Sequence, residues 1–382
     1  MINRQRLEAD LLDMIRISSP SKHEGRMAKR LRATLEGLGV AVEEDDAGRR
    51  VGGEVGNLLA KFPGTAPSAP PLLLCAHMDT VVPCENVKPV VAGDVVKTDG
   101  TTVLGGDDKA GIAAILEALR VVRERRIPHG PVDVLLTICE EFGLVGAKHF
   151  DAARLRAKTG LVLDVDGVHE LVTRAPAANR VDVTVHGLAA HAGVCPEQGI
   201  SAIRVAAEAL AAMRLGRIDA ETTANVGLIE GGLAVNIVPD RVRVRGETRS
   251  LSLEKLDAQS RHMRECFEQA AARHRVEVAG RPHAARVEVL VERDYDRLDL
   301  PDGTRIVKLM KQAAANLGAP FKTRATGGGC DANVLNGRGL EIANLGCGMR
   351  EIHTVNEWLD VKDVVATAAL LVETLRLNAA GT

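Results

Sequence analysis

The segment LLLCAHMDT, residues 72–80, begins as a continuous apolar run and ends in polar residues. Such a run is typical of a strand that is buried on both faces of a sheet. Further segments of this kind are NLLAKF (57–62), VDVLLTIC (132–139) and LVLDV (161–165), and a predicted helix at about 109–125 lies among them. The alternation of buried strands with helices predicts an α/β domain with a mostly parallel sheet covered on both faces.

The pattern of apolar residues changes in the middle of the chain. VDVTVHG (181–187) and RVRVRGE (241–247) alternate strictly between apolar and polar residues, as strands with one solvent-exposed face do. Helical segments lie between and after them, and the resulting β-α-β-β-α-β order is typical of a ferredoxin-like α+β fold. We therefore predict an inserted domain at 178–292, within an α/β domain formed by residues 1–177 and 293–382.

The composition limits the class of partner. The 382-residue chain has 49 Lys+Arg against 51 Asp+Glu and only 2% aromatic residues, so it lacks the basic surface and the stacking platforms of a nucleic-acid-binding protein. No apolar run is long enough to cross a bilayer, and the charged N-terminus lacks the apolar core of a signal peptide. Seven cysteines without a C-x-x-C pair favour a reducing compartment. We therefore predict a cytoplasmic protein with no nucleic-acid or membrane partner.

Polar residues follow two of the predicted strands at the point where each strand ends. His77 and Asp79 are two residues apart and so lie on the same side of the strand. A metal-binding imidazole held by a carboxylate has this pattern, and so does a polar surface turn. Glu140 and Glu141 come directly after VDVLLTIC, where one could bind a metal while the other reaches a bound water. A solvated strand end is the alternative for this second pair.

Three further places in the chain offer metal-binding side chains. The turn GGDDKAG puts Asp107 beside Asp108 just before a helix, which fits either a metal site or a helix cap. Asp164 and Asp166 lie on one face of another strand end, where an Asx turn before a glycine is the alternative. His353 follows a glycine-rich turn and is either a ligand or a structural histidine.

Together, these residues favour a site for two divalent cations, because the carboxyl ends of parallel strands meet at one edge of a sheet. The donors are nitrogen and oxygen atoms only, which suits such cations. A carboxylate between two ions, with a second carboxylate left free beside them, is typical of metal-assisted hydrolysis. The residues therefore predict a hydrolytic site at this edge.

The sequence resembles the dinuclear-zinc peptidases related to tripeptidase T, a group that includes aminoacylase and glutamate carboxypeptidase. The resemblance follows essentially the whole chain in order, through CAHMDTVVP, GGDDKAGIAAILEAL, ICEEFGLVGAKHF, VLDVDG, HGLAAHAG, VNIVPD and GGGCDANVL. It implies a catalytic α/β domain with an inserted lid domain, which also forms the contact of a homodimer. The motifs are most similar to those of the tripeptidase T branch.

The resemblance also implies roles for individual residues. Glu140 is expected to be the general base, and Asp79 is expected to orient His77. The cofactor is expected to be two Zn²⁺ ions, although the same donors accept Co²⁺ or Mn²⁺. The expected ligands are His77 and Asp166 for one ion, Glu141 and His353 for the other, and Asp107 for both.

The resemblance places further substrate contacts outside this metal site. His191 in HGLAAHAG is expected to reach the site of a neighbouring protomer and polarise the scissile carbonyl. Arg249 is expected to bind a substrate carboxylate, Asn236 to contact a polar group of the substrate, and Gly328 to line the same pocket. From the residues alone, Arg249 also fits an ordinary surface ion pair, and the glycines at 327–329 fit a flexible turn.

The predicted activity is hydrolysis of peptide bonds in short peptides, with release of the N-terminal residue of tripeptides favoured. An aspartate at the position of Asp166 is typical of the aminopeptidase-like members. The alternatives are deacylation of an N-acyl amino acid, carboxypeptidase activity with the same metals, and a non-catalytic metal- or peptide-binding protein. The absence of G-x-G-x-x-G argues against a nucleotide-binding protein.

Overall fold

The computed structural model describes residues 2–381, which form two compact units. The first unit comprises the residues up to Arg174, Leu298–Thr326 and the residues from Cys330 onward. The second comprises Ala175–Arg297 and Gly327–Gly329. Of the helices among these residues, none combines the length and the apolar character that crossing a bilayer requires.

Helices and strands alternate through most of the chain. The helices are α1 (Arg4–Ile15), α2 (Gly25–Gly37), α3 (Ala47–Val51), α4 (Gly106–Glu124), α5 (Val145–His149), α6 (Ala202–Ala212), α7 (Leu253–Ala272), α8 (Arg305–Asn316), α9 (Asp331–Gly337) and α10 (Val361–Ala380). The strands are β1 (Val42–Glu44), β2 (Leu58–Phe62), β3 (Leu72–His77), β4 (Pro89–Ala92), β5 (Val95–Thr98), β6 (Val132–Thr137), β7 (Thr159–Asp166), β8 (Val168–Ala175), β9 (Ala177–His186), β10 (Gly216–Arg217), β11 (Thr222–Gly231), β12 (Arg241–Ser250), β13 (Arg275–Val278), β14 (Arg281–Ala284), β15 (Arg286–Tyr295), β16 (Leu298–Asp299), β17 (Lys322–Ala325), β18 (Glu341–Arg350) and β19 (Trp358–Asp360).

The first unit is built on a 12-stranded sheet whose main path runs β1-β2-β6-β3-β7-β18-β19-β5-β4. Its centre, β6-β3-β7-β18, is parallel, as the sequence predicts. Every residue of β3 and β6 is buried, so the centre of the sheet is covered on both faces. The outer pairs β1–β2, β4–β5 and β19–β5 are antiparallel, so the whole sheet is mixed.

The parallel strands determine where the site lies. In the register of β3 with β6, His77 is opposite Thr137, so the two strands end at the same level. The residues that follow, including Asp79 and Glu140, therefore emerge together at one edge of the sheet. This placement follows from the apolar runs of β3 and β6, which end at or shortly before these polar residues.

The second unit contains a five-stranded antiparallel sheet in the order β10-β11-β12-β9-β15. Alternate residues of β9 and β12, such as Val183 and Val244, pack with Phe267 of α7 and Val205 of α6 in its core. The order of β9, β11, β12 and β15, with α6 and α7 between them, is the predicted ferredoxin-like arrangement. The hairpin of β13 and β14 is an addition before β15.

The second unit extends a few residues beyond the insertion predicted at 178–292. At its start, β9 already begins at Ala177. At its end, β15 continues to Tyr295 and pairs there with Ala178. Both shifts have the same cause, because paired strands extend past the stretch in which the polar and apolar residues alternate.

Candidate active site

His77 is the last residue of β3, and its imidazole is buried. The Nδ1 atom lies 2.9 Å from the backbone oxygen of Asp79 and 3.4 Å from its carboxylate, so the nearer carbonyl accepts the Nδ1–H. This hydrogen bond leaves the Nε2 lone pair for a ligand. Burial disfavours the imidazolium, but the surrounding carboxylates, Asp107 foremost, outweigh burial and raise the pKa of His77.

Asp107 lies at the start of α4, where it faces two imidazoles. Its Oδ1 is 3.0 Å from His77 Nε2, and its Oδ2 is 3.2 Å from His353 Nε2. Burial opposes ionisation, but His353 and His77 together lower the pKa of Asp107 below its ordinary value. A carboxylate with one oxygen towards each of two nitrogen donors has the arrangement of a bridging metal ligand. The Asp107–Asp108 peptide bond is cis.

Two groups of side chains surround Asp107, and each has the size of a metal site. His77, Asp107 and Asp164 form the first group, and Asp107, Glu141 and His353 form the second. Within each group, one ligand atom from each residue lies within 4.8 Å of the others. Four of the five expected ligands are therefore brought together.

The fifth, Asp166, is not in either group, and Asp164 lies beside His77 and Asp107 instead. The Asp164 carboxylate lies 3.7 Å from His77 Nε2. The Asp166 side chain is 62% exposed and forms an ion pair with Arg324 of β17. Asp166 is two residues further along β7, about 6.6 Å at the rise of a regular strand, and the pairing of β7 with β18 is irregular here.

The donor set fits divalent cations. The Glu141 Oε1 atom is buried and forms no hydrogen bond, although His353 Nε2 lies 3.0 Å away. Burial, and next the neighbouring Asp107, raises the pKa of Asp164, because two buried carboxylates repel each other. Cations between these carboxylates would remove that repulsion. Nitrogen and oxygen donors without a thiolate suit zinc, cobalt or manganese.

Glu140 follows β6 and is buried at the same edge of the sheet. Burial, and next the Asp164 carboxylate, raises the pKa of Glu140 above its ordinary range. Among residues 2–381, no side chain or backbone group forms a hydrogen bond with its carboxylate. A carboxylate that is neither paired nor part of a ligand group is free to exchange a proton with a bound water.

The role of Asp79 differs in detail from the expectation. Its backbone oxygen, rather than its carboxylate, is the nearer partner of His77. The two carboxylate oxygens accept the backbone N–H groups of Glu140, at 2.9 Å, and of Glu141, at 3.2 Å. Asp79 therefore forms hydrogen bonds both with the imidazole of His77 and with the turn that carries two glutamates.

The expected substrate contacts lie in the second unit. His191 and Asn236 are exposed and adjacent, because the Ala192 N–H donates to the backbone oxygen of Asn236. The Arg249 guanidinium is half-buried and donates two hydrogen bonds, at 2.9 and 3.0 Å, to Glu247, which is the ordinary ion pair that the sequence left open. Gly328 is exposed.

Sequence reasoning missed two buried carboxylates near these residues. Glu357 accepts the N–H groups of Gly105, at 2.7 Å, and of Asp107, at 3.0 Å, and so holds the turn of the bridging residue. Asp331 accepts a hydrogen bond from the Thr137 hydroxyl at the end of β6. The motif GGGCDANVL contains Asp331 and could have indicated it, whereas no pattern surrounds Glu357.

The chain is similar to known peptidases in sequence and in fold. The sequence model of peptidase family M20/M25/M40 matches residues 73–377. An uncharacterised protein of Bacillus subtilis, YqjE, is 44% identical over 97% of this chain and 98% of its own. Aminopeptidase PepT from Bacillus cereus has a solved structure with 42% identity and a TM-score of 0.87, covering 99% of both chains. A tripeptidase from Staphylococcus aureus is 37% identical with a TM-score of 0.90, covering 100% of both chains.

The family match extends over most of the chain and includes the residues of both groups around Asp107. The matches with the two solved peptidases extend over both units of the fold. This chain therefore belongs to peptidase family M20/M25/M40 and is a hydrolase that acts on peptide bonds.

Proposed function

We propose that the protein is a dinuclear metal aminopeptidase that releases the N-terminal residue of tripeptides and other short peptides. The proposal rests on one observation: the two oxygens of Asp107 face two different imidazoles. The names of the two solved relatives, an aminopeptidase and a tripeptidase, support the substrate class.

The metal ligands follow from the two groups of side chains. Asp107 would bind both ions, with His77 and Asp164 on one ion and Glu141 and His353 on the other. We propose zinc as the metal, and cobalt or manganese as substitutes that these donors accept. When bound, the two ions would lower the pKa of a water between them and polarise the scissile carbonyl.

Glu140 would move the proton in this reaction. Its carboxylate takes a proton from the attacking water as the new C–O bond forms. It then gives that proton to the nitrogen of the leaving amine as the C–N bond breaks, so that no proton is gained or lost overall. The hydrogen bond from the Glu140 N–H to Asp79 fixes the backbone from which this side chain extends.

A comparison of substrates tests the proposed specificity. We expect the zinc-loaded protein to cleave a free tripeptide with a kcat/KM at least about 100-fold above that for its N-acetylated form, because a free amine is part of what an aminopeptidase recognises. Acetylated amino acids and C-terminal glutamate conjugates are the comparison substrates, and liberated amino acids are measured by chromatography. Faster hydrolysis of the acetylated amino acids would identify a deacylase instead of an aminopeptidase. Faster hydrolysis of the glutamate conjugates would identify a carboxypeptidase.

We also propose that the protein is a homodimer formed through the second unit. Short strand β10 pairs with only Thr223 and Ala224 of β11, which leaves the rest of that edge without a partner strand among residues 2–381. Leu228 and Ile229 on β11 and Leu233 just after it are 49%, 53% and 85% exposed. A second copy related by a twofold axis would cover this edge with its own.

In such a dimer, His191 is proposed to act on the substrate of the partner. The Gly193 N–H donates to His191 Nδ1 at 3.2 Å, which places the imidazole proton on Nε2, where it can polarise a carbonyl. Arg249, Asn236 and Gly328 are proposed substrate contacts on the resemblance alone. All seven cysteines are free and six are buried, which supports the proposed cytoplasmic location.

Mixed dimers test the role of His191. His191→Ala and Glu140→Gln should each abolish turnover as pure proteins. Coexpression should restore up to about one quarter of the wild-type activity, because half of the molecules would be mixed dimers with one complete site. If His191 serves its own protomer, the mixture stays inactive, and a sedimentation measurement that finds only monomers also excludes the role.

A further inference from the structure

The loop between α1 and α2 contains Ser21 and Glu24, which have the S-x-x-E spacing of a capping box. In the structure, neither side chain caps α2. Glu24 is the N-cap residue, but its side chain forms no capping hydrogen bond. The Ser21 hydroxyl donates instead to the Asp79 carboxylate, at 2.6 Å. This motif therefore has another role in the fold.

The Glu24 carboxylate is fully buried beside the turn that follows β6. Its Oε1 accepts the backbone N–H groups of Cys139 and Lys22, both at 3.0 Å, and lies 3.4 Å from the Cys139 Sγ. Its Oε2 is buried and has no hydrogen-bond partner among the described residues. Burial, and next the Asp79 carboxylate, raises the pKa of Glu24 above its ordinary value. Burial of a carboxylate that has an unpaired oxygen destabilises the folded protein. A role of Glu24 in the site would account for its burial.

The turn that Glu24 holds is strained. Cys139 has a φ of +49°, in the left-handed region that residues with a side chain rarely adopt. The Glu24 carboxylate accepts a hydrogen bond from the N–H of Cys139. The Asp79 carboxylate accepts hydrogen bonds from the next two N–H groups, those of Glu140 and Glu141. Two carboxylates thus bind three successive N–H groups. The direction in which both glutamate side chains leave the backbone depends on this turn.

The loop that contains Glu24 also forms hydrogen bonds with the residues that follow β3. The Thr80 N–H donates to the backbone oxygen of Ser19 at 2.9 Å, and Pro20 forms a β-bridge with Thr80. The Lys22 ammonium lies 4.6 Å from the centre of the Phe142 ring. Phe142 directly follows Glu141 in the chain. The loop therefore contacts both of the strand ends from which the site is built.

We propose that Glu24, assisted by Ser21, is a positioning residue: it holds the Cys139–Glu141 turn so that Glu140 and Glu141 have the direction that the reaction needs. Neither Glu24 nor Ser21 touches the reacting atoms. The inference rests on the proposed function, because the role of Glu140 in proton transfer and of Glu141 in metal binding is proposed there. It goes beyond that function by assigning a task to a loop outside the metal site.

Two substitutions of Glu24 distinguish a role of its hydrogen bonds in positioning the turn from a role of its negative charge. Glu24→Gln keeps the length of the side chain and an oxygen acceptor but removes the charge. Glu24→Asp keeps the charge but shortens the side chain by one methylene, so that the carboxylate no longer reaches the Cys139 N–H. A role in positioning requires that the first variant works and that the second fails. A role of the negative charge requires the opposite.

The experiment compares the two variants with the wild type after loading with zinc and, separately, with cobalt(II). We expect Glu24→Asp to lower kcat by about 100-fold with KM unchanged, since a displacement of about 1 Å costs that much at a catalytic group. Its cobalt(II) absorption bands should shift, because Glu141 moves with the turn. Glu24→Gln should retain the kcat, the pH profile and the cobalt(II) spectrum of the wild type.

Asp133 provides a matched control at the opposite end of the same strand, β6. Its buried carboxylate accepts the backbone N–H groups of Arg156, at 2.7 Å, and of Ala157, at 3.0 Å. Asp133→Glu therefore changes a comparable carboxylate by one methylene far from the turn. It should lower the melting temperature but leave kcat and the cobalt(II) spectrum unchanged.

The proposal is overturned if Glu24→Asp keeps the wild-type kcat and spectrum, or if Glu24→Gln loses as much as Glu24→Asp. If Glu24→Asp does not fold, Ser21→Ala, at a partly exposed residue, takes its place and should lower kcat at constant KM; an unchanged kcat then contradicts the proposal. Wild-type protein without peptidase activity would refute the proposed function, whereas the cobalt(II) spectra of the variants would still test the positioning.

Discussion

Replacing Glu140 with glutamine should lower kcat by about 1,000- to 10,000-fold, at the upper end of what proton transfer by one side chain contributes, and should leave two metal ions bound. Glutamine has nearly the same shape as glutamate but cannot accept the proton of the attacking water. The structure supports retention of the metals, because Glu140 belongs to neither group of side chains around Asp107. The measurements are steady-state kinetics with a tripeptide and metal analysis of the dialysed protein.

Glu117 offers a matched control for this substitution. It is a buried glutamate on α4, and its carboxylate accepts hydrogen bonds from Arg6 and the Asn3 N–H. Glu117→Gln should alter stability and leave kcat per bound metal unchanged. Nearly normal turnover of the Glu140→Gln variant would exclude Glu140 as the general base. Loss of metal from the variant would show that Glu140 is a metal ligand instead.

The second large effect should distinguish the two aspartates at the end of β7. Asp164→Asn should weaken the binding of one ion by more than about 100-fold, because loss of a ligand should exceed the 10- to 100-fold that loss of an outer partner costs. Activity should fall to the level of the metal-free protein. Asp166→Asn should keep both ions and nearly normal activity, since an exposed ion pair such as that with Arg324 contributes about 0–1 kcal/mol.

Metal content and metal affinity measure this difference directly. Both variants are prepared without metal, titrated with zinc, and assayed at each ratio of metal to protein. Retention of two tightly bound ions by Asp164→Asn would reject the ligand assignment that the structure favours. Loss of an ion from Asp166→Asn would restore the assignment that the sequence suggested.

The contrast between Asp164 and Asp166 shows which features of the site a sequence pattern predicts and which it does not. Side chains two residues apart on a strand share a face, so the pattern LVLDVDG places both carboxylates on the same side. It does not say how far the strand continues before the ligands meet. The register of β7 with its neighbours decides that: pairing with β3 ends at Val162, whereas β7 continues along β18 to Asp166, which lies opposite Met349 and beside Arg324.

Other parts of the candidate site follow from local patterns. His77 and Glu140 come directly after apolar runs, so the end of each strand, and with it the position of each side chain at the sheet edge, could be predicted. The antiparallel outer strands were not predicted, because short strands such as β1 and β19 lack the long apolar runs of a buried strand. They join the sheet through pairing with neighbours, which is a property of the whole fold.

The sequence by itself determined the two-part architecture, the strand ends that carry the polar residues, and the nitrogen and oxygen donors available there. These depend on local hydrophobicity, which acts along the chain. Only the tertiary structure decided which aspartate joins His77, and that Glu24 and Glu357 hold turns 115 and 252 residues away. The physical reason is that a buried carboxylate takes whichever N–H groups the packed fold leaves unpaired, and their distance along the chain has no effect on that choice.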